Sequence, residues 1–316
     1  MTDPDELCTL AAMRYNRLDL NLLPALRALL TEKNVTRAGD SLHVTQSAMS
    51  GILARLREFF DDPLIVPVGR RMELTPLAES LVGRVNDLLV QVDSTLTTRP
   101  EFVPETSRRH FSIVASDYTV VVLLTEVLRR LNKEAPGLTL EIRPPGDATL
   151  PDLEAGELDF HISPVSMLLD EHPSEVLFED TFHAVVDRDS TAVGESLTIA
   201  EYLSLGHVGF QQNGLPLFDR WFAKTHGERR REVTVSHFGL LPQLVTGTNR
   251  VATLHTRLAA RACELLPVRM VRLDFDVPRF VNLLQWHRYR DMDPGSIWLR
   301  EKIVACAREL PLLPMA

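Results

Sequence analysis

The spacing of apolar residues changes near residue 105, so a single type of fold cannot account for the whole chain. Before this point, apolar residues recur every three or four positions, which is typical of helices. From about residue 107, short apolar runs that indicate strands alternate with helical stretches. This alternation predicts an α/β domain with mainly parallel sheets. A chain of 316 residues with this change of pattern is predicted to form two or three compact units.

The segment before the change begins with two predicted helices. Residues 19–33 place five leucines on one helical face, and Asp19 is the predicted N-cap. These leucines are Leu22, Leu23, Leu26, Leu29 and Leu30. Thr36 is placed to cap a short second helix, TRAGDSLH, in which Ala38 and Leu42 face inward.

A third helix and a hairpin follow. Thr45 is placed to cap the helix QSAMSGILARLREFF, residues 46–60. Its predicted buried stripe consists of Ala48, Met49, Ile52, Leu56 and Phe59. The run LIVPVGRRMELTP predicts a β-hairpin with Gly69, Arg70 and Arg71 at its tip. Two helices, a turn, a third helix and a basic hairpin in this order are typical of a winged helix-turn-helix.

The exposed face of the third helix is the candidate DNA-reading surface. Its small polar residues allow close approach to base edges: Gln46 can bond an adenine, and Ser47 and Ser50 can bond a base or a phosphate. The arginines would hold the DNA backbone without reading sequence. On periodicity alone, a helical bundle with a solvated polar face explains the pattern equally well. The candidate DNA-binding residues are Arg37, Thr45, Gln46, Ser47, Ser50, Arg55, Arg57, Arg70 and Arg71.

The net charge is unevenly distributed along the chain. The formal net charge of the whole chain is −9. Residues 14–76 contain nine Arg and Lys against seven Asp and Glu, a net charge of +2, so the remaining residues carry −11. A mildly basic module on an acidic body suits a protein that contacts nucleic acid with one small part.

A long helix is predicted from Pro76 to about Leu96, and it carries an apolar seam. The seam residues, at spacings of four, three and four, are Leu81, Val85, Leu88 and Val92. This spacing is typical of a coiled coil, and a dimer formed through it would set two reading helices about 34 Å apart, one turn of DNA. Packing of the helix on its own domain is the alternative. The stretch TTRPEFVPETSRR then predicts a linker.

The composition disfavours several other classes of protein. No run approaches the ~20 apolar residues of a membrane span, and the acidic start MTDPDELCTL is unlike a signal peptide, so we expect a cytoplasmic protein that does not contact a membrane. Cys8, Cys263 and Cys306 form no disulfide framework and no metal motif. Nucleophile-elbow, phosphate-binding and metalloprotease motifs are missing from the sequence, so we expect no enzyme, cofactor or metal site.

These motifs together resemble the N-terminal domain of LysR-type transcriptional regulators. TRAGDSLHVTQSAMS, the RLR ending of the third helix, and the wing DPLI…G…ELTP match that family in order and spacing. Further segments, including FSIVASDY, LFEDTFHAVV, LSLGHVGF, VATLHTRLA and DPGSIWLREKI, resemble the branch that contains the regulators NodD and NahR. The resemblance covers nearly the whole chain apart from about the first dozen residues.

The resemblance implies an α+β multidomain fold with a two-lobed effector domain similar to a periplasmic binding protein. The implied domains are a winged helix-turn-helix over 14–75, a linker and dimerisation helix over 76–97, a linker over 98–106 and an effector domain over 107–316. Within the last, lobe one would be about 107–165 and 279–316, lobe two about 168–277, and the crossing strands would lie near Pro164–Leu168 and Asp276–Phe280.

The resemblance also implies a function. Such a regulator would bind double-stranded promoter DNA as a dimer or tetramer, hold a small effector between its lobes, and change DNA bending and contact with RNA polymerase. We expect an activator of an operon for aromatic or phenolic compound metabolism. A repressor, or a response to a flavonoid-type plant signal, is the alternative. A transport-type binding protein shares the lobed fold but not the N-terminal module.

Two positions depart from the family pattern. Ser47 replaces the Pro of most relatives, and Pro67 stands where many have Arg, which shifts one expected phosphate contact to Arg70 or Arg71.

Matching segments place the candidate effector-binding residues around the cleft between the lobes. They are Ser116, Asp117, His161, Ser163, Phe182, His207, Phe238, Gln285 and Trp286. Aromatic walls with a few His and Ser side chains would suit a phenol or an aromatic acid, and His207 is the foremost candidate. The role of Asp117 stays open between a ligand contact and a helix cap, because an unpaired carboxylate would repel an anion. Ordinary packing is the alternative role for each residue.

Overall fold

The computed structural model describes residues 18–69, 71–97, 101–211 and 216–313. The chain divides into two compact units, one made mostly of residues up to Thr98 and the other mostly of residues from Arg99 onward. Within the described ranges, no helix has the length and apolar character needed to span a membrane.

The N-terminal unit is a winged helix-turn-helix followed by a long helix. Its elements are a 3-10 turn (Leu20–Leu22), α1 (Leu23–Glu32), α2 (Val35–Ser41), α3 (Gln46–Phe60), β1 (Ile65–Val68), β2 (Arg71–Leu74) and α4 (Pro76–Thr97). The five leucines predicted on one face of the first helix are all buried, so this hydrophobic face is confirmed.

Side-chain caps set the starts of α2 and α3. The side chain of Asn34 caps α2 by accepting from the backbone N–H of Arg37 at 3.0 Å, so the prediction that Thr36 is the cap is wrong. Asn34 has the extended backbone that brings a cap oxygen over the first free N–H groups of a helix. Thr45 caps α3 as predicted, with its Oγ1 accepting from Ala48 N–H at 3.2 Å.

The buried face of α3 differs slightly from the predicted one. Met49 and Leu56 are buried as expected, but Leu53 is buried where the prediction had Ala48, which is exposed. Residues 49, 53 and 56 follow the 3.6-residue helical repeat, and Ala48 lies outside that stripe. Phe59 is only half-buried.

The wing is a short antiparallel hairpin that follows α3. Strands β1 and β2 pair from Ile65 with Leu74 to Val68 with Arg71. Gly69 at the tip has a φ of +62°, a conformation that glycine adopts without strain and that suits a two-residue hairpin turn. Arg70, the other predicted tip residue, lies outside the described residues.

The C-terminal unit contains two mixed sheets and their connecting helices. Its strands are β3 (His110–Val114), β4 (Thr139–Arg143), β5 (Phe160–Pro164), β6 (Ser174–Asp180), β7 (Phe182–Asp187), β8 (Ser196–Leu197), β9 (His207–Phe210), β10 (Arg231–Val235), β11 (Val251–His255), β12 (Val268–Leu273) and β13 (Phe280–Gln285). Its helices are α5 (Asp117–Thr119, a π-helical turn Val120–Leu124 and Thr125–Glu134), α6 (Thr149–Glu154), α7 (Ile199–Ser204), α8 (Leu217–His226), α9 (Leu241–Val245), α10 (Thr256–Leu265) and α11 (Pro294–Arg308).

Each sheet defines one lobe. The strand order is β4-β3-β5-β13-β6 in lobe one and β10-β9-β11-β7-β12-β8 in lobe two. The expectation of mainly parallel sheets holds only in part. β13 runs antiparallel to both of its neighbours, and β7 runs antiparallel to β11 and β12, because these strands carry the chain back between the lobes.

The first crossing between lobes lies later in the chain than predicted. β6 still belongs to the sheet of lobe one, where Asp180 pairs with Phe280 of β13. The next strand, β7 from Phe182, belongs to lobe two. The crossing is therefore at 180–182 rather than near Pro164–Leu168, because residues 174–180 find their hydrogen-bonding partner in β13. The return crossing lies between β12 and β13, at 273–280, and the predicted Asp276–Phe280 falls inside it.

Candidate functional site

The first half of α3 presents a face of small and polar side chains to solvent. Gln46, Ser47 and Ser50 are all exposed. Gly51 and Ala54 are also exposed, and a Cβ built on Gly51 meets no atom within 4 Å. Sequence reasoning missed these last two residues, although two small residues beside a Ser pair on one helix face are a visible signal. The face leaves room for another molecule to approach the helix backbone.

Two predicted DNA-contacting arginines are exposed and paired with carboxylates. Arg37 Nε donates to Glu32 Oε2 at 2.9 Å. Arg55 NH2 lies 3.5 Å from Asp19 Oδ2. Both guanidinium groups are more than half exposed, so these pairs are weak enough to exchange for a phosphate.

Arg57, a further predicted DNA-contacting residue, is exposed and bonds to the base of the wing. Its Nε donates to the backbone oxygen of Pro63 at 2.8 Å, and its NH2 donates to that of Ile65 at 3.1 Å. Arg57 therefore holds the base of the wing in position relative to α3. Arg71 is exposed at the start of β2, and Thr45 Oγ1, besides capping α3, lies 3.1 Å from Ser47 Oγ.

A cavity of about 530 Å³ is lined by residues of both lobes. This volume lies within the range of small-molecule sites in proteins. Six of the nine predicted effector-binding residues line it: Ser116, Asp117, His161, Ser163, Phe182 and Phe238. The lining includes several further aromatic groups, described below, so the cavity is suited to a largely apolar ligand with a few polar groups.

Asp117 links the two lobes at the cavity. Its Oδ2 accepts from the backbone N–H of Gly239 at 2.8 Å. Gly239 belongs to the 3-10 turn Phe238–Leu240 of lobe two, whereas Asp117 begins α5 in lobe one. Ser116, not Asp117, caps α5, with its Oγ accepting from Thr119 N–H at 3.3 Å. In this structure the Asp117 carboxylate is therefore occupied by a backbone donor from the opposite lobe.

His161 is a buried polar side chain without a polar contact. It lies on β5, its side chain is 2% exposed, and neither ring nitrogen has a hydrogen-bond partner among the described residues. Burial lowers the pKa of His161 to about 4, so the imidazole is neutral at neutral pH. A buried polar group normally finds a partner, and one that lines a cavity without one is a candidate ligand contact.

The aromatic walls come largely from residues that sequence reasoning missed. Phe210 stacks on Phe238 with ring centroids 3.8 Å apart, and Tyr118 stacks on His255 at 3.8 Å. The other missed aromatic residues of the lining are Phe218, Phe280 and the exposed His237. Phe210 and His255 are the last residues of the neighbouring strands β9 and β11, and the carboxyl ends of parallel strands commonly carry a ligand site. That rule is the signal that could have found them.

Three predicted effector residues do not line the cavity. His207 Nε2 lies 2.8 Å from Tyr202 O, and burial and the nearby Arg229 lower the pKa of His207 to about 4. Gln285 Nε2 donates to Leu169 O at 2.7 Å, and Gln285 Oε1 accepts from Leu169 N–H at 3.0 Å. Trp286 Nε1 donates to Asp291 Oδ1, in the loop before α11, at 3.0 Å. Each makes contacts within the fold and lies outside the cavity lining.

Lobe two contributes a buried ion-pair network to the cavity lining. Both Arg229 and Asp219 line the cavity, and their side chains are only 3% and 6% exposed. Asp219 Oδ1 accepts from Arg229 and, at 2.7 Å, from Arg231. Arg229 NH1 also donates to the hydroxyl of Tyr202 at 2.5 Å.

Comparison with known proteins agrees with both halves of this description. Residues 20–79 match the bacterial regulatory helix-turn-helix model of the lysR family, and residues 104–306 match the LysR substrate binding domain. Nodulation protein D 2 of Rhizobium tropici is 38% identical over 92% of this chain and 94% of its own length. Nodulation protein D 2 of Rhizobium leguminosarum bv. phaseoli is 39% identical over 92% and 93%. The crystal structure of a probable transcriptional regulator of Pseudomonas aeruginosa is 27% identical, with a TM-score of 0.62 over 96% of this chain and 99% of that one.

A winged helix-turn-helix followed by a two-lobed ligand-binding domain defines a DNA-binding transcriptional regulator. The chain belongs to the LysR family of these regulators. Proteins of this family are transcriptional regulators and not enzymes.

Proposed function

We propose that this regulator activates transcription when a small aromatic compound binds in the cavity between its lobes. It binds double-stranded promoter DNA through the first half of α3 and the wing, as a dimer or a tetramer, and contacts RNA polymerase when the effector is bound. The operon it controls serves aromatic or phenolic compound metabolism. The observation that carries the proposal is the 530 Å³ cavity, which has aromatic walls and a buried imidazole with no hydrogen-bond partner among the described residues.

The DNA-contacting roles are divided between α3 and the wing. Gln46, at the exposed start of α3, is proposed to read a base edge. Arg71, exposed at the start of β2, is proposed to contact the phosphate backbone.

Replacing these two side chains separately tests this division. Gln46→Ala should weaken binding to the operator by about 1–3 kcal/mol and leave binding to random DNA unchanged, because only a base contact is lost. Arg71→Ala should weaken binding to both DNAs and lower the salt dependence of binding by about one ion, because one phosphate contact is lost. Fluorescence anisotropy on operator and random duplexes over a range of salt concentrations measures both effects. Equal losses on the two DNAs for both variants would show that the division is wrong.

The distal half of α4 is proposed as the dimer seam. Val85 is buried in the core of its own unit, and Leu81 packs partly against that core. Leu88 and Val92, further along the seam, are each 41% exposed. At one end the seam packs within its own domain. At the other end it is exposed and can pair with a second copy of the chain.

A charged substitution in the open part of the seam tests the dimer. Leu88→Glu combined with Val92→Glu should shift the protein toward monomer by at least about tenfold in dissociation constant, because two carboxylates would be buried against an apolar partner. Sedimentation velocity over a range of concentrations gives the dissociation constant. Glu substitution at Gly83, which is exposed on α4 outside the seam, is the matched control and should leave it unchanged. An unaltered oligomer in the double variant would assign dimerisation to another surface.

A footprint on the DNA just upstream of the protein's own gene tests regulator and sensor together. The experiment is run with and without a panel of phenols and aromatic acids. Two protected sites several helical turns apart, with one compound changing the pattern, would support the full proposal. Protection that no compound changes would contradict the sensor function. Repression by the compound-bound form in a transcription assay would replace the activator with a repressor.

A further inference from the structure

Two buried, neutral imidazoles, one from each lobe, face the same cavity, and a third lining imidazole, His237, is exposed. His161 lies on β5 of lobe one, and His255 is the last residue of β11 of lobe two. Their side chains are 2% and 8% exposed, and both line the cavity. In the part of the chain that the structure describes, neither ring nitrogen of His161 has a hydrogen-bond partner. Nδ1 of His255 has none there either.

The position of His255 is fixed by its neighbours. Its ring stacks on Tyr118 with centroids 3.8 Å apart and meets Phe238 edge to face at 4.7 Å. The Tyr118 hydroxyl donates to the buried carboxylate of Asp180 at 2.6 Å, at the first crossing between the lobes. His255 is therefore held in place by ring contacts and is not oriented by a polar bond at Nδ1.

The charges of the cavity favour an uncharged ligand at the lobe-one end. The charged lining residues of lobe one are Asp117 and Asp147, both carboxylates. The lining cations come from lobe two: Arg229 is paired with Asp219, and Arg220 is exposed. Burial lowers the pKa of His161 to about 4 and that of His255 to about 3, so neither imidazole supplies a positive charge at neutral pH. A carboxylate buried there would have no cation to pair with.

We propose that His161 and His255 determine effector specificity by hydrogen bonding to two uncharged polar groups at opposite ends of one aromatic ligand. A hydroxyl fits both imidazoles, because each neutral imidazole has one bare nitrogen that accepts from an O–H, whereas an ionised carboxylate has no proton to donate. The ligand then bridges the lobes, and a carboxylate of the same shape is rejected. This inference rests on the proposed effector-binding function of the cavity.

A series of rigid ligands of one shape tests the pairing by titration calorimetry on the full chain. The probes are para,para-biphenol, its monomethyl and dimethyl ethers, and the matching biphenyl dicarboxylate. We expect each methylation to weaken binding about three- to tenfold, the effect of one hydrogen bond, and the dicarboxylate to bind at least about a hundredfold more weakly than the diol. Equal affinities for the diol and its ethers, or tighter binding of the dicarboxylate, would overturn the proposal.

Substitution of each histidine locates the two ends. In His161→Leu the difference between biphenol and its monomethyl ether should disappear, and in His161→Leu with His255→Phe all three uncharged probes should bind alike. Phe at 255 keeps the ring that stacks on Tyr118.

His161→Leu should also raise the melting temperature of the ligand-free protein by about 2–4 °C, because it removes a buried group with no hydrogen-bond partner among the described residues. A structural role for His161 predicts a lower melting temperature instead, and His161→Gln, which keeps hydrogen-bonding capacity, should restore part of the preference for hydroxyls.

His207→Leu is the matched control for a buried histidine outside the cavity. It loses a hydrogen bond to Tyr202 O, so it should lower the melting temperature and leave the ratios between probes unchanged. The test separates two failures. Suppose that an aromatic compound changes the footprint, but biphenol does not bind or the relative affinities of the probes are the same in the histidine variants as in the parent protein. The pairing of the two histidines is then wrong, and the proposed function stands. If no aromatic compound binds at all, the proposed function itself fails.

Discussion

Gly51→Glu should abolish specific DNA binding while leaving the protein folded. Gly51 lies on the exposed face of α3, and a Cβ at this position meets no atom of the protein within 4 Å. Replacing a helical Gly even strengthens the helix, by about 0.5–1 kcal/mol. On DNA, however, the new side chain would occupy the space for close approach and bring a carboxylate against phosphates. We expect the affinity for operator DNA to fall by at least about a hundredfold, or about 2.7 kcal/mol.

Gly83 provides the control for this experiment. It is also an exposed helical glycine, on α4, and a Cβ there likewise meets nothing within 4 Å. Gly83→Glu adds the same charge and the same helix stabilisation outside the proposed DNA-facing surface, so it should bind operator DNA like the parent protein. Gly51→Gln separates bulk from charge and should lose less affinity at low salt than Gly51→Glu. Gel-shift titration with operator DNA measures all three variants. Parent-like binding by Gly51→Glu would remove α3 from the DNA interface.

Asp219→Ala should strongly destabilise the C-terminal unit. Asp219 balances the charge of Arg229, whose side chain is only 3% exposed, and it also accepts from Arg231. Removing the carboxylate leaves a buried guanidinium without its counter-charge, which typically costs about 3–5 kcal/mol. For a unit of this size we expect the melting temperature to fall by roughly 10 °C. Differential scanning calorimetry and urea unfolding measure the change.

An exposed ion pair is the control that shows how much of the stability loss in Asp219→Ala comes from burial of the pair. Arg261 and Glu264 lie 2.6 Å apart on α10, but their side chains are 50% and 61% exposed. Glu264→Ala should therefore change the free energy of unfolding by less than about 0.5 kcal/mol. Combining Asp219→Leu with Arg229→Met removes both buried charges and should recover most of the lost stability. A loss below about 1 kcal/mol in Asp219→Ala would mean that water reaches Arg229.

The roles of charged and polar side chains were harder to predict than the elements that carry them. The sequence predicts a DNA contact for Arg57 but gives no sign that its guanidinium also binds backbone oxygens at the base of the wing. His207 was the foremost effector candidate, yet it bonds Tyr202 O inside lobe two. A long side chain can reach several partners, and only the folded arrangement decides which acceptor is nearest. Sequence spacing gives the position of such a residue on its element but not its partner.

The lining of the cavity could also be predicted only in part from the sequence. The sequence predicts six of its lining residues but not His255, Tyr118 or Phe210. Strand β6 was also missed, so the first crossing was placed too early. A cavity wall combines the ends of strands that are far apart in the chain, and Asp117 meets Gly239 across 122 residues.

The sequence by itself determined the class of protein, the helix-turn-helix with its wing, the buried leucine face of α1 and the cap of α3. These features depend on periodicity, capping and turn chemistry, which act between residues within a few positions of each other. The tertiary structure alone decided where the chain crosses between lobes, which imidazoles face the cavity, and how Arg229 is neutralised. Those outcomes depend on strand order and on the burial that follows from it. Hydrogen bonds and desolvation act on whichever groups the fold brings together, whatever their separation in the chain.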